Sequence, residues 1–340
     1  MMQSRRTFLG TALATGLTVA CATPVRSSAA TSADIEWMTD GARGLFPDGA
    51  HLESLASGYT WSEGPVWDRV RNRLYFSDVP GNICWTWSEA GGAQEFLNPS
   101  GIPGSQAFGF REPGANGLAI SRDGRLLICN HGKRAVEAMD LDTGARTILT
   151  GTYDGQKYNS PNDVIEAQDG TLFFTDPPYG LEGMNASPLK EQTANGVYRF
   201  GPNGTVTRLI DTMTFPNGVA LSPDEQTVYV SQSDPEAPVI LRMAPDGSGA
   251  DILFDAAAYM SDDAPGLPDG MAVARSGHIC ATGPGGVFIL SPAGKALARI
   301  NTGKATANCC FGDADGQTLY ITAHDTLVRI RTNLRGVAWS

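Results

Sequence analysis

Short apolar runs separated by polar turns recur along the chain, and six stretches share one arrangement. In each, an acidic or amide residue comes before a short apolar run, a polar turn follows, and a second apolar run ends in a small or polar residue. Two apolar runs joined by such a turn predict a β-hairpin. The six stretches are SEGPVWDRVRNRLYFSD from Ser62, ANGLAISRDGRLLICN from Ala115, PNDVIEAQDGTLFFTD from Pro161, PNGVALSPDEQTVYVSQ from Pro216, PDGMAVARSGHICATG from Pro268 and ANCCFGDADGQTLYITA from Ala307.

The spacing of these stretches predicts the fold class. Successive copies of the acidic or amide residue are separated by 53, 46, 55, 52 and 39 residues, which leaves room for two more strands in each repeat. One such pair is GVYRFGPNGTVTRLI, residues 196–210, with a turn at 202–204. Four-stranded antiparallel sheets repeated around an axis predict an all-β protein with a six-bladed β-propeller. A β-sandwich is the alternative, but it leaves a period near fifty residues unexplained.

The domain organisation follows from the same repeats. We expect a single propeller domain over residues 31–340 and no second domain. An open ring would leave unpaired strand edges, which invite aggregation. We therefore expect the first blade to borrow a strand from the other terminus, with residues 326–332 or the region near His51 closing the ring.

Residues 1–30 have the pattern of an export signal. The stretch SRRTFLG contains paired Arg5 and Arg6, and it is followed by an uncharged, moderately apolar run and then by small residues. This arrangement predicts a twin-arginine signal peptide, used by the twin-arginine machinery to export folded proteins, and hence a periplasmic location. A lipidated Cys21 is the less favoured alternative, because TVAC lacks the leucine usual three residues before such a cysteine.

Composition narrows the choice of partners. The chain has 40 glycines, 21 prolines and a formal net charge of -11. An acidic protein repels nucleic acid and anionic membrane surfaces, so neither is expected as a partner, and a small neutral molecule or a cation fits better. We expect a monomer or a small homo-oligomer. The odd set of remaining cysteines predicts buried free thiols rather than a disulfide framework: Cys84, Cys129, Cys280, Cys309 and Cys310.

The six repeated polar residues predict one shared site. Ring symmetry places equivalent residues at the same end of the central axis, where a ring of carboxylate and amide oxygens suits a hard divalent cation such as Ca²⁺, Mg²⁺ or Mn²⁺. Taken singly, each is typical of an ordinary turn. Turn chemistry does not account for Asp163, which follows Asn162 in place of glycine. The converging set is Glu63, Asn116, Asn162, Asn217, Asp269 and Asn308.

Other catalytic motifs are absent from the sequence. There is no G-x-S-x-G elbow, no H-E-x-x-H motif and no paired-cysteine motif. His131 and His324 stand alone in predicted loops, where a histidine is more often solvated or packed than catalytic. Trp61 and Tyr179 are candidates for the rim of the axial pocket, and packing between blades is the alternative for both.

Several ordered motifs resemble one family, that of senescence marker protein, regucalcin and gluconolactonase, and in particular its exported bacterial gluconolactonases. The resemblance extends over nearly the whole chain after the signal. The motifs are WSEGPVW (61–67), FREPGANGL (110–118), NSPNDV (159–164), FTDPPYGL (174–181), FPNG (215–218), LPDGM (267–271) and NCCFG (308–312). The stretch CNHGKRA departs from the family pattern at Asn130 and His131, where an acidic or small polar residue and then a small one are expected.

The resemblance implies a role for each candidate residue. Asp269 becomes both a metal ligand and the candidate general base, and Asn308 becomes structural. Asp163 is expected to support the ligands, with a proton-accepting role as the alternative. The implied metal ligands are Glu63, Asn162, Asn217 and Asp269, and the implied substrate contact is Asn116. His131 and Tyr179 are further candidates for substrate contact, not implied by the resemblance.

The implied activity is metal-dependent hydrolysis of a sugar lactone, with glucono-1,5-lactone as the first candidate substrate. One divalent cation is implied, with Ca²⁺ first and Mg²⁺, Mn²⁺, Fe²⁺ or Zn²⁺ as alternatives. Hydrolysis of another sugar lactone or an aliphatic lactone, phosphotriester hydrolysis, and a non-enzymatic metal- or ligand-binding propeller remain open as alternatives.

Overall fold

The computed structural model describes residues 34–337, so the predicted signal peptide and Cys21 lie outside the described residues. Strands dominate this part of the chain. None of its helices is long and apolar enough to cross a membrane. Its helical segments are short 3₁₀ turns at Asp40–Leu45, Gly104–Gln106, Met184–Ala186 and Ala257–Tyr259.

The strands form six antiparallel blades, as the repeats predict. Two strands come before the first repeat, β1 (Ile35–Trp37) and β2 (Glu53–Ser57). Blade one contains β3 (Ser62–Asp68), β4 (Arg73–Asp78), β5 (Ile83–Ser88) and β6 (Gly92–Leu97). Blade two contains β7 (Ala115–Ile120), β8 (Leu126–Asn130), β9 (Ala135–Met139) and β10 (Arg146–Thr150), and a small hairpin, β11 (Thr152–Tyr153) and β12 (Gln156–Lys157), follows it.

The remaining blades repeat the order of the first two. Blade three contains β13 (Val164–Glu166), β14 (Leu172–Asp176), β15 (Gly196–Phe200) and β16 (Val206–Ile210). Blade four contains β17 (Pro216–Leu221), β18 (Val228–Gln232), β19 (Val239–Met243) and β20 (Asp251–Asp255). Blade five contains β21 (Met271–Val273), β22 (Ile279–Gly283), β23 (Gly286–Leu290) and β24 (Ala296–Asn301). Blade six contains β25 (Thr306–Gly312), β26 (Thr318–Ala323) and β27 (Thr326–Arg331).

The ring closes in the sixth blade, where β2 pairs antiparallel with β27 as the outermost strand. Glu53 lies opposite Arg329, and their side chains form an ion pair of 2.7 Å. The expectation that the first blade borrows a strand was wrong, because β3 to β6 are consecutive in sequence and complete that blade alone. Strand β1 joins blade five beside β24, so that sheet has five strands.

The core lies between neighbouring blades. The second strand of blades two to five is buried at every position, because each face of the sheet is covered by an adjacent blade. This explains why these strands are continuous apolar runs rather than alternating ones. Trp67 of blade one stacks on Tyr320 of blade six, with ring centroids 5.2 Å apart. Burying a large side chain of this kind contributes about 1.5–3 kcal/mol.

Hydroxyl groups near the ends of the second strands bind neighbouring blades together. Ser77 donates a hydrogen bond of 2.6 Å to the carbonyl oxygen of Asn116 in the next blade. Thr175 donates to Asn217 at 2.5 Å, and Ser231 donates to Asp269 at 2.5 Å. We call these three side chains the interblade hydroxyls. Each holds the backbone of one residue of the predicted axial site.

The cysteines that the structure describes are all free thiols, as predicted. Cys84, Cys129, Cys280 and Cys309 are buried, and Cys310 is partly buried. Cys309 and Cys310 lie next to each other in β25 without forming a disulfide.

Candidate active site

The axial residues come together where the innermost strands begin. Glu63 and Asn217 lie at the second position of β3 and β17, and Asn162 and Asp269 come two residues before β13 and β21. Asn116 and Asn308 occupy corresponding positions in β7 and β25.

Carboxylates at the ends of the second strands hold the segments that lead into this site. Asp78, the last residue of β4, accepts hydrogen bonds from the backbone nitrogens of Thr60 and Trp61, at 3.0 and 3.1 Å. Asp176, the last residue of β14, accepts in the same way from Asn159 and Ser160, at 2.7 and 2.8 Å. Side-chain acceptors therefore fix the chain just before Glu63 and Asn162.

Close packing around the axis explains the glycine that follows several axial residues. A Cβ atom at Gly64 would lie 2.3 Å from the carbonyl oxygen of Asn116, and one at Gly218 would lie 2.3 Å from that of Asp269. Only a residue without a side chain allows the next blade to approach so closely. Blade three has Asp163 at this position, and its side chain reaches across to blade four instead.

The carboxamides form a hydrogen-bonded chain from blade to blade. Asn116 Nδ2 donates to Asn162 Oδ1 at 2.6 Å, and Asn162 Nδ2 donates to Asn217 Oδ1. Asn217 Nδ2 donates to Ser233 Oγ at 2.9 Å, and that hydroxyl donates to the carbonyl oxygen of Pro268 at 2.6 Å. The chain fixes the orientation of three amide side chains at the axis.

Two carboxyl groups lie across the propeller axis from this chain of amides. Glu63 and Asp269 line the same cavity and lie close enough for the charge of Glu63 to oppose the ionisation of Asp269. Burial raises the pKa of both carboxyls above the ordinary range, and the pKa of Asp269 is raised further by the charge of Glu63. Asn308 Nδ2 donates to Glu63 Oε2 at 3.3 Å, and the backbone nitrogen of Gly64 donates to the same oxygen at 2.6 Å. Asp269 Oδ1 is buried and accepts no hydrogen bond from the described residues.

The chemistry of this donor set fits a hard divalent cation. Burying two carboxylates side by side is unfavourable unless a positive charge compensates them. An amide oxygen has two lone pairs, so Asn162 and Asn217 can accept their hydrogen bonds and still bind a cation. In residues 34–337, no three His, Cys, Asp or Glu side chains are grouped to hold a metal. The predicted set differs from such a group, since two of its four members are amides.

A cavity of about 560 Å³ opens over the axial residues. This volume accommodates a small ligand. The candidate residues that line it are Glu63, Asn116, Asn162, Tyr179, Asn217 and Asp269. Trp61 also lines it, with its ring edge-on to His324 at 5.5 Å, and Tyr179 is stacked on Phe215 with ring centroids 5.8 Å apart.

His131 lies behind the cavity wall rather than on it. Its side chain is fully buried, with Nε2 at 3.3 Å from Asn116 Nδ2. Burial lowers the pKa of His131 to about 3, so the ring is neutral, and Nδ1 lies 3.7 Å from Glu112 Oε2. A direct substrate contact for His131 therefore does not fit the structure, because Asn116 and Glu112 lie between the ring and the cavity.

Asp163 also lies outside the cavity lining. Its two carboxylate oxygens accept backbone hydrogen bonds, from Val164 at 3.0 Å and from Val219 at 3.1 Å. Burial raises the pKa of Asp163 to about 6. Because Val219 is two residues beyond Asn217, Asp163 ties blade three to the segment that carries an axial amide. This position favours support of the site over direct proton transfer.

Two charged residues of the cavity wall were not among the sequence candidates. Arg111 and Glu112 line the cavity, and the backbone nitrogens of both donate to the carbonyl oxygen of Gly180, at 2.9 and 3.3 Å. They belong to the motif FREPGANGL, but the sequence does not show that this loop packs on the loop of Tyr179. Ser233, in the amide chain, was also not among the sequence candidates.

Comparison with known proteins places this geometry in a family. Residues 61–325 match the SMP-30/Gluconolactonase/LRE-like region. The chain belongs to this family. A gluconolactonase of Zymomonas mobilis is 41% identical over 84% of this chain and 82% of its own length. A pentonolactonase of Haloferax volcanii is 29% identical over 76% of this chain and 80% of its own length.

Solved structures of family members have the same architecture. A gluconolactonase from Xanthomonas campestris is 33% identical and superimposes with a TM-score of 0.74, covering 88% of this chain and 94% of its own. Regucalcin from Agrobacterium tumefaciens superimposes with a TM-score of 0.66 at 20% identity, covering 86% of this chain and 96% of its own, a likeness of fold. The SMP-30/gluconolactonase-like resemblance of the sequence motifs is thus confirmed.

Proposed function

We propose that this protein is a metal-dependent lactone hydrolase that opens a sugar lactone, with glucono-1,5-lactone as the first candidate, to the aldonic acid. Membership of the SMP-30/gluconolactonase-like family and the 41% identical gluconolactonase support a lactone substrate. The observation that carries the proposal is the buried pair of Glu63 and Asp269 at a cavity of ligand size, with Asp269 Oδ1 free of any partner among the described residues.

The residues that would hold the cation are Glu63, Asn162, Asn217 and Asp269. Their all-oxygen donor set favours Ca²⁺, with Mg²⁺, Mn²⁺, Fe²⁺ and Zn²⁺ as alternatives. When bound, a divalent cation supplies a Lewis acid for a carbonyl oxygen and stabilises developing negative charge.

The chain's own side chains provide the remaining functions. Asp269 Oδ1, without a hydrogen-bond partner, accepts a proton from the attacking water. Asn116 Oδ1 is also buried without a partner and accepts a hydrogen bond from a substrate hydroxyl. Trp61 and Tyr179 form flat walls for the apolar faces of a sugar ring. The amide chain holds Asn116, Asn162 and Asn217 in place before substrate arrives.

A pH-stat assay tests the proposal. Metal-stripped protein is supplied with Ca²⁺, Mg²⁺, Mn²⁺, Fe²⁺ or Zn²⁺ and assayed on glucono-1,5-lactone, other sugar lactones, an aliphatic lactone and a fluorophosphate. We expect sugar-lactone opening that returns with one or more metals and is lost in Asp269→Ala. Near-normal turnover by Asp269→Ala, or faster reaction with the fluorophosphate than with any lactone, would contradict the proposal.

We also propose export by the twin-arginine route to the periplasm. The support is the sequence of residues 1–30, with paired Arg5 and Arg6 before an apolar run. Replacing both arginines by lysine is expected to retain the unprocessed protein in the cytoplasm of a cell that expresses it. Equal periplasmic amounts of the wild type and the double-lysine variant would contradict this route.

A further inference from the structure

A carboxylate outside the proposed metal ligands faces the same cavity. Glu112 lines the cavity, and its side chain is 16% exposed. The Arg111 guanidinium donates a hydrogen bond to Glu112 Oε1. Glu112 Oε2 accepts no hydrogen bond from the described residues, and the nearby Nδ1 of His131, at 3.7 Å, is beyond hydrogen-bond distance. One oxygen of this partly buried carboxylate is therefore held while the other is available to a ligand.

The segment that carries Glu112 is held firmly. Backbone hydrogen bonds from Arg111 and Glu112 to Gly180 tie it to the loop of Tyr179, and Phe110 pairs with Leu181 in an isolated bridge. The buried ring of His131 lies behind Glu112, with Nδ1 at 3.7 Å from Glu112 Oε2. Such support reduces the cost of ordering a side chain when a ligand binds.

Glu112 and the axial residues line one cavity of about 560 Å³. Glu112, Tyr179 and Asp269 line the same cavity, so all three side chains face a common space. A lactone whose carbonyl lies at the axial site would direct its ring hydroxyls toward the cavity wall. A carboxylate accepts hydrogen bonds from such hydroxyls, and an unsubstituted ring offers none.

We propose that Glu112, oriented by Arg111, accepts hydrogen bonds from the hydroxyl groups of the lactone ring and makes the site selective for polyhydroxylated lactones over unsubstituted ones. The inference rests on the proposed function, since it assigns the substrate class of the same cavity. An unsubstituted lactone bound here would cover Glu112 Oε2 without offering it a hydrogen-bond donor, and sites built to bind a hydroxyl reject analogues that lack it.

The test compares two lactones with the same reacting bond, glucono-1,5-lactone and δ-valerolactone. Both are assayed with metal-loaded protein that lacks only the predicted signal peptide. Glu112→Gln is expected to lower kcat/KM for glucono-1,5-lactone roughly 10- to 100-fold, mainly through KM, and to change δ-valerolactone hydrolysis less than about twofold. Glu182→Gln is the matched control, because Glu182 is exposed on the neighbouring loop and outside the cavity lining. It should leave both rates unchanged.

Two further measurements keep the test decisive if Glu112→Gln folds poorly. Arg111→Gln leaves the carboxylate in place without its partner, and it should weaken glucono-1,5-lactone turnover selectively but less strongly. Inhibition by 1,5-anhydroglucitol, a ring polyol without a carbonyl group, should weaken in both variants and not in Glu182→Gln.

The outcomes separate the two proposals. Equal losses on both lactones, expressed in kcat, would assign Glu112 to the chemical step and overturn the selectivity role. Unchanged rates on both lactones would overturn it as well. Failure of the wild type to open either lactone would instead contradict the proposed function.

Discussion

Glu63 in blade one and Asp269 near the start of blade five line the same cavity at the propeller axis, close enough for the charge of Glu63 to oppose the ionisation of Asp269. Residues so distant in sequence meet because equivalent positions of a closed ring face the same centre. Their proximity concentrates negative charge in a buried place, and burial raises the pKa of both. The stability of this arrangement should therefore depend on a bound cation.

Glu63→Gln tests this dependence, because glutamine reproduces the neutral form of Glu63. In a chelator, the variant should melt at the same temperature as the wild type or higher, since the carboxylate repulsion is gone. With a metal at 100 to 1,000 times its Kd, the wild type should gain about 2.7–4.1 kcal/mol, and Glu63→Gln should gain far less. Thermal unfolding with and without metal measures both. A full metal-induced gain in Glu63→Gln would exclude Glu63 as a ligand.

Asp163→Asn should destabilise the protein by about 1–3 kcal/mol, because both carboxylate oxygens of Asp163 accept backbone hydrogen bonds and asparagine offers only one acceptor oxygen. Denaturant unfolding gives the difference in free energy. Asp262→Asn is the control, an exposed residue whose replacement should change stability by less than about 0.5 kcal/mol. Equal stability of Asp163→Asn and the wild type would show that the bond to Val219 contributes little.

The interblade hydroxyls offer a matched pair of variants. Ser231→Ala and Ser77→Ala each remove a buried donor to an axial carbonyl, and each should cost about 1–3 kcal/mol of unfolding free energy. Of these two serines, Ser231 binds the backbone of a proposed metal ligand, Asp269, whereas Ser77 binds the backbone of Asn116, which is not a proposed ligand. Metal affinity, measured by calorimetry, should therefore fall several-fold in Ser231→Ala alone. Equal metal affinities in the two variants would argue against positioning by Ser231.

Glu137 should make stability depend on pH. Burial opposes its ionisation, but the hydrogen bond from Lys133 and the charge of Arg146 outweigh burial and lower the pKa of Glu137. A lowered pKa means that the stabilisation is present above the ordinary pKa of about 4.5 and is lost as pH falls through the folded-state value. The stability difference between wild type and Glu137→Gln should be largest near pH 7 and shrink below about pH 4.5.

Denaturant unfolding at several pH values measures this difference. Glu182→Gln replaces an exposed residue, so its free energy of unfolding should vary with pH in parallel with that of the wild type. A difference between wild type and Glu137→Gln that does not change with pH would show that Glu137 contributes by packing rather than by charge.

The fold could be predicted from sequence because each repeat carries the same local features in the same order. The glycine after an axial residue is one of them, and the contact of Gly64 with Asn116 shows that it reflects close packing of successive blades. The blade that closes the ring could not be predicted. Strand β2 is short and partly exposed, so its choice of β27 depends on long-range pairing rather than on local pattern.

The candidate site was predicted where symmetry applies and missed where loops from different blades meet. Asn162 and Asn217 follow from the repeat alone. His131 lies in the polar stretch CNHGK, which suggests an exposed loop, yet it is buried behind Asn116. Glu112 reaches the cavity only because its segment is bound to Gly180. Contacts of this kind join parts of the chain that share no pattern, so no local signal reveals them.

Because β2 pairs with β27, the site can form only at the end of protein synthesis. The last strand is added to the sixth blade only after residues 326–331 have left the ribosome, and β2 must remain unpaired until then. Glu63 gains its hydrogen bond from Asn308 only when blade six is in place beside blade one. If Glu63 holds the proposed cation, cation binding would mark a chain whose synthesis and ring closure are complete, and a chain released early would lack a competent centre.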